Sequence, residues 1–304
     1  ALLLQIYSEA FIATGKPLYK WVITDVVGFL QRWLQHPTGG YHSAISADIE
    51  EIEGLYYLWS PSVLDDLPAA ASENAGLIAY RGPGQEGLVG IYLTRPDSSG
   101  ANIIRSSLLK AGASKTKPFI DTKVITSWNA ALLSGLLTAK RALGPDLAQV
   151  KLTDIEEMAS RLWSQVFSAE RATLYHVTYR GVGQVPGTLE DYAFLAKAWL
   201  DLYDATANQI WLKRARALAD LILMHFVTGS EFGTTDSRHR SEYSPKPMQI
   251  ADGELPAANA VAMQALWQVA VRQGDQRLKQ ELGPLVNQLR AQFRALPYDN
   301  LYAG

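Results

Sequence analysis

Carboxylates, amides and aromatic rings stand just ahead of the strongly apolar stretches of this chain, a placement suited to acid–base work on a polyhydroxylated ligand. Glu190 and Asp191, with Tyr192 beside them, open one such stretch. Asp121 and Lys123 precede another, whose first turn holds Trp128 and Asn129, and Asn259 opens a third. Glycoside hydrolysis needs one carboxylic acid to protonate the leaving oxygen and a second to activate water or attack. Asp191 with Asp121 is the pair that could supply this, with Glu190 as a neighbouring acid. Trp128 can stack on a sugar ring and Asn129 can hydrogen-bond its hydroxyls. Structural alternatives stand beside each role: adjacent acids at a helix start favour the helix dipole, Asp121 and Lys123 can form an ion pair, and Asn259 can act as a cap. Ser127 is placed to cap the stretch that Trp128 opens.

An earlier loop brings Tyr41 and His42 toward Asp48, Glu50 and Glu53. Such spacing can gather oxygens for a hard cation, but the run lacks the ligand pattern and central glycine of a calcium loop, so a solvated acidic turn is the better expectation. The five histidines make no zinc spacing. No Gly-rich phosphate loop, Ser/His/Asp arrangement or dinucleotide fingerprint is present, and neither metal nor cofactor is expected.

These residues are carried by repeated helical hairpins. Segments beginning near Leu2, Ser127, Thr188 and Pro256 each read as an apolar helix, a short polar break and a second helix with a charged face. The breaks are Thr14-Gly15-Lys16-Pro17, Leu143-Gly144-Pro145-Asp146, Ala207-Asn208 and Gln273-Gly274-Asp275, with second helices over Leu18 to Trp33, Trp211 to Phe226 and Arg277 to Phe293. The first helix of each pair is the more apolar, as in an inner layer buried on both sides. Concentric layers explain this, and an open solenoid fits the same period. The interval 39–121 is rich in Gly, Pro and Ser, reads as a loop-rich insertion, and carries strand-like runs at Leu55 to Trp59 and Gly87 to Leu93. Further strand-like pieces at Thr173 to Tyr179 and Glu231 to Thr235 are expected as ribbons at one rim.

At 304 residues and 48% apolar composition the chain can bury a large core as one domain, 1–304. A net charge of −2 and no basic–aromatic cluster exclude a nucleic-acid groove. Absence of cysteine removes disulfides and thiolate chemistry. No apolar run is long enough to span a bilayer and no basic signal-peptide start is present, so a soluble cytoplasmic protein is expected. The chain opens at Ala1 inside an amphipathic helix and reads as the later part of something longer.

Four ordered blocks resemble one known family. They are Gly39-Gly40-Tyr41-His42 through Leu58-Trp59, Asp121 through Asn129, Leu189 through Phe194, and Asp252 through Asn259. The chain resembles the YyaL-like family, also called spermatogenesis-associated or thioredoxin-domain-containing proteins. That resemblance implies an all-α (α/α)6 toroid, here incomplete, similar to six-hairpin glycosidases and N-acylglucosamine 2-epimerases, with a thioredoxin-like domain of the same full-length protein as partner. It departs from the family where Ser46 stands for an Asp, Glu51 for a Gly and Glu190 for an Asp, and at Glu254-Leu255 and Ala257-Ala258. Sugar or sugar-acid binding or processing at a central funnel is one expectation, and a non-catalytic scaffold for the thioredoxin-like domain is the other. The residues leave catalysis open. If present, it favours hydrolase-like chemistry over epimerisation, because no inner helix holds the histidine that the related epimerases use.

Overall fold

A computed structural model of the chain describes residues 1–37, 39–81, 87–239 and 251–295. The first hairpin is α1 (Leu2–Thr14) and α2 (Pro17–Phe29), joined through Gly15 in the left-handed conformation and started by Pro17 at the first helical position. The inserted segment holds α3 (Pro61–Asp65), α4 (Ala69–Ala75) and α5 (Ser99–Gly112). Two long hairpins follow, α6 (Thr126–Leu143) with α7 (Leu152–Val166), then α8 (Leu189–Thr206) with α9 (Gln209–Phe226). Last come α10 (Ala258–Gln273), α11 (Gln276–Glu281) and α12 (Gly283–Ala295).

Helices α1, α6, α8 and α10 form the inner layer and run parallel. Glu9 pairs with Arg141 along α1 and α6, and Asp204 pairs with Arg272 at the carboxyl ends of α8 and α10. Apolar side chains surround most of α8, with Tyr192, Leu195, Trp199, Leu200 and Leu202 at 0% exposure, so it forms the centre of the core. Its outer partner α9 buries one stripe, Trp211, Ala215, Leu218, Ile222 and Phe226, and turns Lys213, Arg216 and Asp220 outward. Alanines Ala258, Ala262 and Ala265 line the buried face of α10, while Gly135 lets α1 lie against α6. A Cβ at Gly135 would stand 2.9 Å from the Ala1 carbonyl oxygen. The core is continuous from Leu4 to Leu285, and a smaller cluster of Leu67, Ala71, Ala75, Ala101 and Ile104 supports the insertion.

The strands are short and antiparallel. In chain order they are β1 (Ala44–Ile45), β2 (Asp48–Ile49), β3 (Ile52–Glu53), β4 (Leu77–Tyr80), β5 (Gly90–Leu93), β6 (Ile120–Asp121), β7 (Val124–Ile125), β8 (Phe167–Ser168), β9 (Thr173–Tyr179), β10 (Val182–Pro186), β11 (Val227–Thr228) and β12 (Glu231–Phe232). The largest sheet orders β10, β9 and β7, with β8 also on β9. It lies over the amino termini of α6 and α8.

Four local expectations change. Leu55 to Trp59 is not a strand: Leu55–Tyr57 is a 3-10 turn, because the Lys115 ammonium draws the Leu55, Tyr56 and Leu58 carbonyls to one point at 2.5 to 3.1 Å. The last outer helix is broken into α11 and α12 ahead of Pro284. The helix from Pro17 ends in a π turn, Leu30–Leu34, rather than continuing as α-helix. Strand character at Glu231 to Thr235 is confined to Glu231–Phe232.

Candidate functional site

Because the inner helices are parallel, the amino termini of α6, α8 and α10 meet at one rim, while α1 begins lower, against Gly135 of α6. Unpaired N–H groups and the helix dipoles at that rim attract negative charge. Asp191 answers that field for two helices at once. Its carboxylate has no solvent exposure, accepts the Thr188 N–H at 2.9 Å at the start of its own helix, and accepts the Ser127 N–H at 3.1 Å at the start of α6. Ser127 is therefore not the cap expected of it: α6 begins at Thr126, the Ser127 hydroxyl is buried without a partner, and the first turn is held by the neighbouring helix.

The same carboxylate lies 3.0 Å from Nδ1 of His176. His176 arrives on β9, and the turn at Arg180-Gly181, both at positive φ, returns β10 to Gly187 and the Thr188 cap. This hairpin sets a strand residue against a helix start fifteen positions later. The His176 side chain remains 36% exposed. Its hydrogen bond to Asp191 raises its pKa, burial opposes the rise, and the charges of Asp191 and Glu190 add to it. With Nδ1–H donating to Asp191, the neutral ring presents Nε2 as a proton acceptor. In the sequence His176 is one of five histidines without a metal-ligand spacing. The available signal was its place in a strand-like run leading back to the Glu190-Asp191 helix start.

Trp128 follows the residue that Asp191 holds, keeps 43% of its surface exposed, and lines a cleft of ≈ 330 Å³ with Tyr41, His42, Asn129, Glu254 and Leu255. Asn129 is committed to the backbone: Oδ1 accepts the Tyr41 N–H at 2.7 Å, and Nδ2 donates to the Tyr41 and Ile125 carbonyls. Gly40 fits against that amide because it has no side chain. His42 has its Nδ1 buried without a partner and its ring 4.8 Å from that of His36.

The other expected residues divide by environment. Glu190 is half-buried beside His176. Tyr192 is fully buried, its hydroxyl accepting the Leu174 N–H at 2.9 Å, and Asn259 is 3% exposed in the first turn of α10. Asp121 pairs with Lys123 at 2.9 Å, which holds its carboxyl below the usual range. Asp191 and Asp121 thus do not face each other as two accessible acids, since one is sealed between helix starts and the other is bound to a lysine. Asp48 and Glu53 are cross-strand partners in the exposed β2–β3 hairpin and do not line the cleft. Among the described residues no group of three or more His, Asp or Glu is arranged to hold a metal ion. No described helix is long and apolar enough to cross a membrane.

The π turn Leu30–Leu34 borders this cleft through Leu30 and Leu34. Its Gln31 side faces a polar cleft of ≈ 280 Å³ with Asp154 and Arg161, and Arg32 and Trp33 face an aromatic cleft of ≈ 350 Å³.

Parallel inner helices, hairpin-linked outer helices and a common rim of amino termini define an α/α toroid. The backbone is similar to that of a cellobiose 2-epimerase from Spirochaeta thermophila DSM 6192, with a TM-score of 0.58 at 15% identity over 97% of this chain and 58% of that one. A D-mannose isomerase gives a TM-score of 0.58 at 11% identity, over 96% of this chain and 57% of that one. In sequence, the chain is a homologue of spermatogenesis-associated protein 20, being 24% identical to the mouse protein over 309 residues, which take in 84% of this chain. The chain spans 39% of the length of that relative. No family model matches it.

Proposed function

We propose that this chain forms the sugar-processing funnel of its toroid, with His176 as the proton-transferring group, Asp191 as the residue that positions it, and Trp128 as the stacking platform. The observation that carries this is the buried Asp191 carboxylate holding a partly exposed imidazole at 3.0 Å, on the rim where the inner helices begin. A buried carboxylate that fixes the tautomer and orientation of a histidine is the recurring way to build a general base. Glu190, whose charge reaches the imidazole, is the second acid–base group. The fold is shared with proteins described as a sugar epimerase and an isomerase, which supports a carbohydrate as substrate. Proton transfer at a carbon beside a sugar carbonyl suits this geometry better than two-carboxylate hydrolysis, because Asp191 is sealed from solvent. A cytoplasmic location, and a thioredoxin-like domain working alongside, complete the proposal.

Incubating the chain with a panel of aldoses and ketoses in deuterated water tests it. NMR should show deuterium entering the sugar at the carbon next to the carbonyl, at a rate lowered at least ~100-fold in His176→Asn. Trp128→Ala should raise KM more than it lowers kcat. Absence of both exchange and any ligand-induced rise in melting temperature across the panel would sink the sugar assignment.

A further inference from the structure

The aromatic cleft between α2 and the insertion is built unlike the funnel. Phe29, Trp33, Tyr56, Tyr57, Trp59 and Leu109 form its walls, and its volume of ≈ 350 Å³ falls within the range of small-molecule sites. Trp33 and Tyr56 meet edge to face at 5.1 Å, and Tyr56 and Tyr57 at 5.3 Å, so the rings brace one another. Around this apolar surface the charge is positive, although the whole chain carries −2. Asp25 is the one acid in the lining and is paired with Arg105, whose guanidinium also lies 4.5 Å from the centre of the Trp21 ring. Arg32 lines the cleft, is exposed, and makes no ion pair among the described residues. Lys115 sits 4.4 Å over the Trp59 ring and Lys117 6.0 Å over that of Trp33. Lys115 is held by the Leu55, Tyr56 and Leu58 carbonyls, whereas Lys117 is exposed and makes no ion pair among the described residues, so two cations, Arg32 and Lys117, stand without a carboxylate partner beside the braced rings.

We infer that this cleft binds an aromatic anion, a flat ring bearing a carboxylate or phosphate, with the ring against Trp33 and Tyr57 and the charge on Arg32. A neutral sugar fits less well, since the walls offer it few hydrogen-bonding groups. The site is separate from the funnel and does not depend on its chemistry.

Calorimetric titration of the full chain with 2-naphthoate and with adenosine monophosphate, against uncharged 2-naphthylmethanol, adenosine and glucose, tests the inference. At least one anion should bind, roughly tenfold more tightly than its uncharged counterpart, as a charge-assisted hydrogen bond implies. The tighter of the two anions identifies the preferred charged group. Arg32→Gln should lose that tenfold at an unchanged melting temperature, raised salt should weaken the anion alone, and Tyr57→Ala should weaken both forms. No binding by either anion, equal binding of the uncharged partners, or full affinity in Arg32→Gln would each overturn it.

Discussion

Replacing Asp191 with alanine removes, in one step, an acceptor for two helix starts and the partner of His176. Breaking a buried pair and leaving its donors unsatisfied costs about 3–5 kcal/mol, and urea unfolding of Asp191→Ala should show a loss in that range. Asp191→Asn keeps part of the hydrogen bonding but removes the charge that holds the imidazole up. The His176 titration followed by NMR should therefore fall back toward the ordinary value near 6.5. The sign for stability follows from the raised value. The contribution of the pair is complete below the ordinary histidine pKa and fades as pH rises through the elevated one, so the stability gap between the native chain and His176→Asn should narrow toward alkaline pH. With His176 as the proposed general base, turnover is expected to run the other way, since a base must be unprotonated: it should increase as pH rises through the same elevated value.

At the scale of elements, the β2–β3 hairpin turns on Glu50 and Glu51 at φ of 52° and 64°, a two-residue turn that usually contains glycine or asparagine. Glu51→Gly should relieve the left-handed strain and stabilise the chain by ~0.5–1 kcal/mol, seen as a higher melting temperature. The long helices were readable because apolar periodicity and breaks at Gly15, Ala207-Asn208 and Gly274 are local signals. The turn at Leu55 was not: Leu55 to Trp59 has strand-like composition, and only a lysine about sixty residues away bends its carbonyls inward. The capping of α6 was hidden for the same reason, since the acceptor belongs to another helix.

For the whole molecule, the concentric layering could be anticipated because α8 is apolar over most of its surface while α9 has one charged face. The site was only half legible. Asp191, Glu190 and Trp128 lie where helix starts place them, but His176 reaches the two acids through a strand hairpin whose register the sequence does not announce. The core converges on Trp199, which has no exposure, lies 5.2 Å from Trp211 and 6.0 Å from Trp163, and has its indole N–H unpaired. Trp199→Ala should cost about 3–5 kcal/mol in chemical unfolding. Trp199→Phe should cost much less, because it also removes a buried donor that has no acceptor.

The π turn at Leu30–Leu34 is a wall common to the funnel cleft, the polar cleft and the aromatic cleft. Its five residues have no spare backbone between them, so an occupant that tightens or unwinds the turn reshapes the walls on its other sides. The shared wall predicts coupling between occupants of these clefts, and linkage is reciprocal: the factor by which one ligand changes the affinity of another is returned unchanged in the opposite direction. Titrating a sugar with and without the aromatic anion, then the anion with and without the sugar, should yield the same ratio twice. A ratio of one in both directions would show the turn to be a rigid partition.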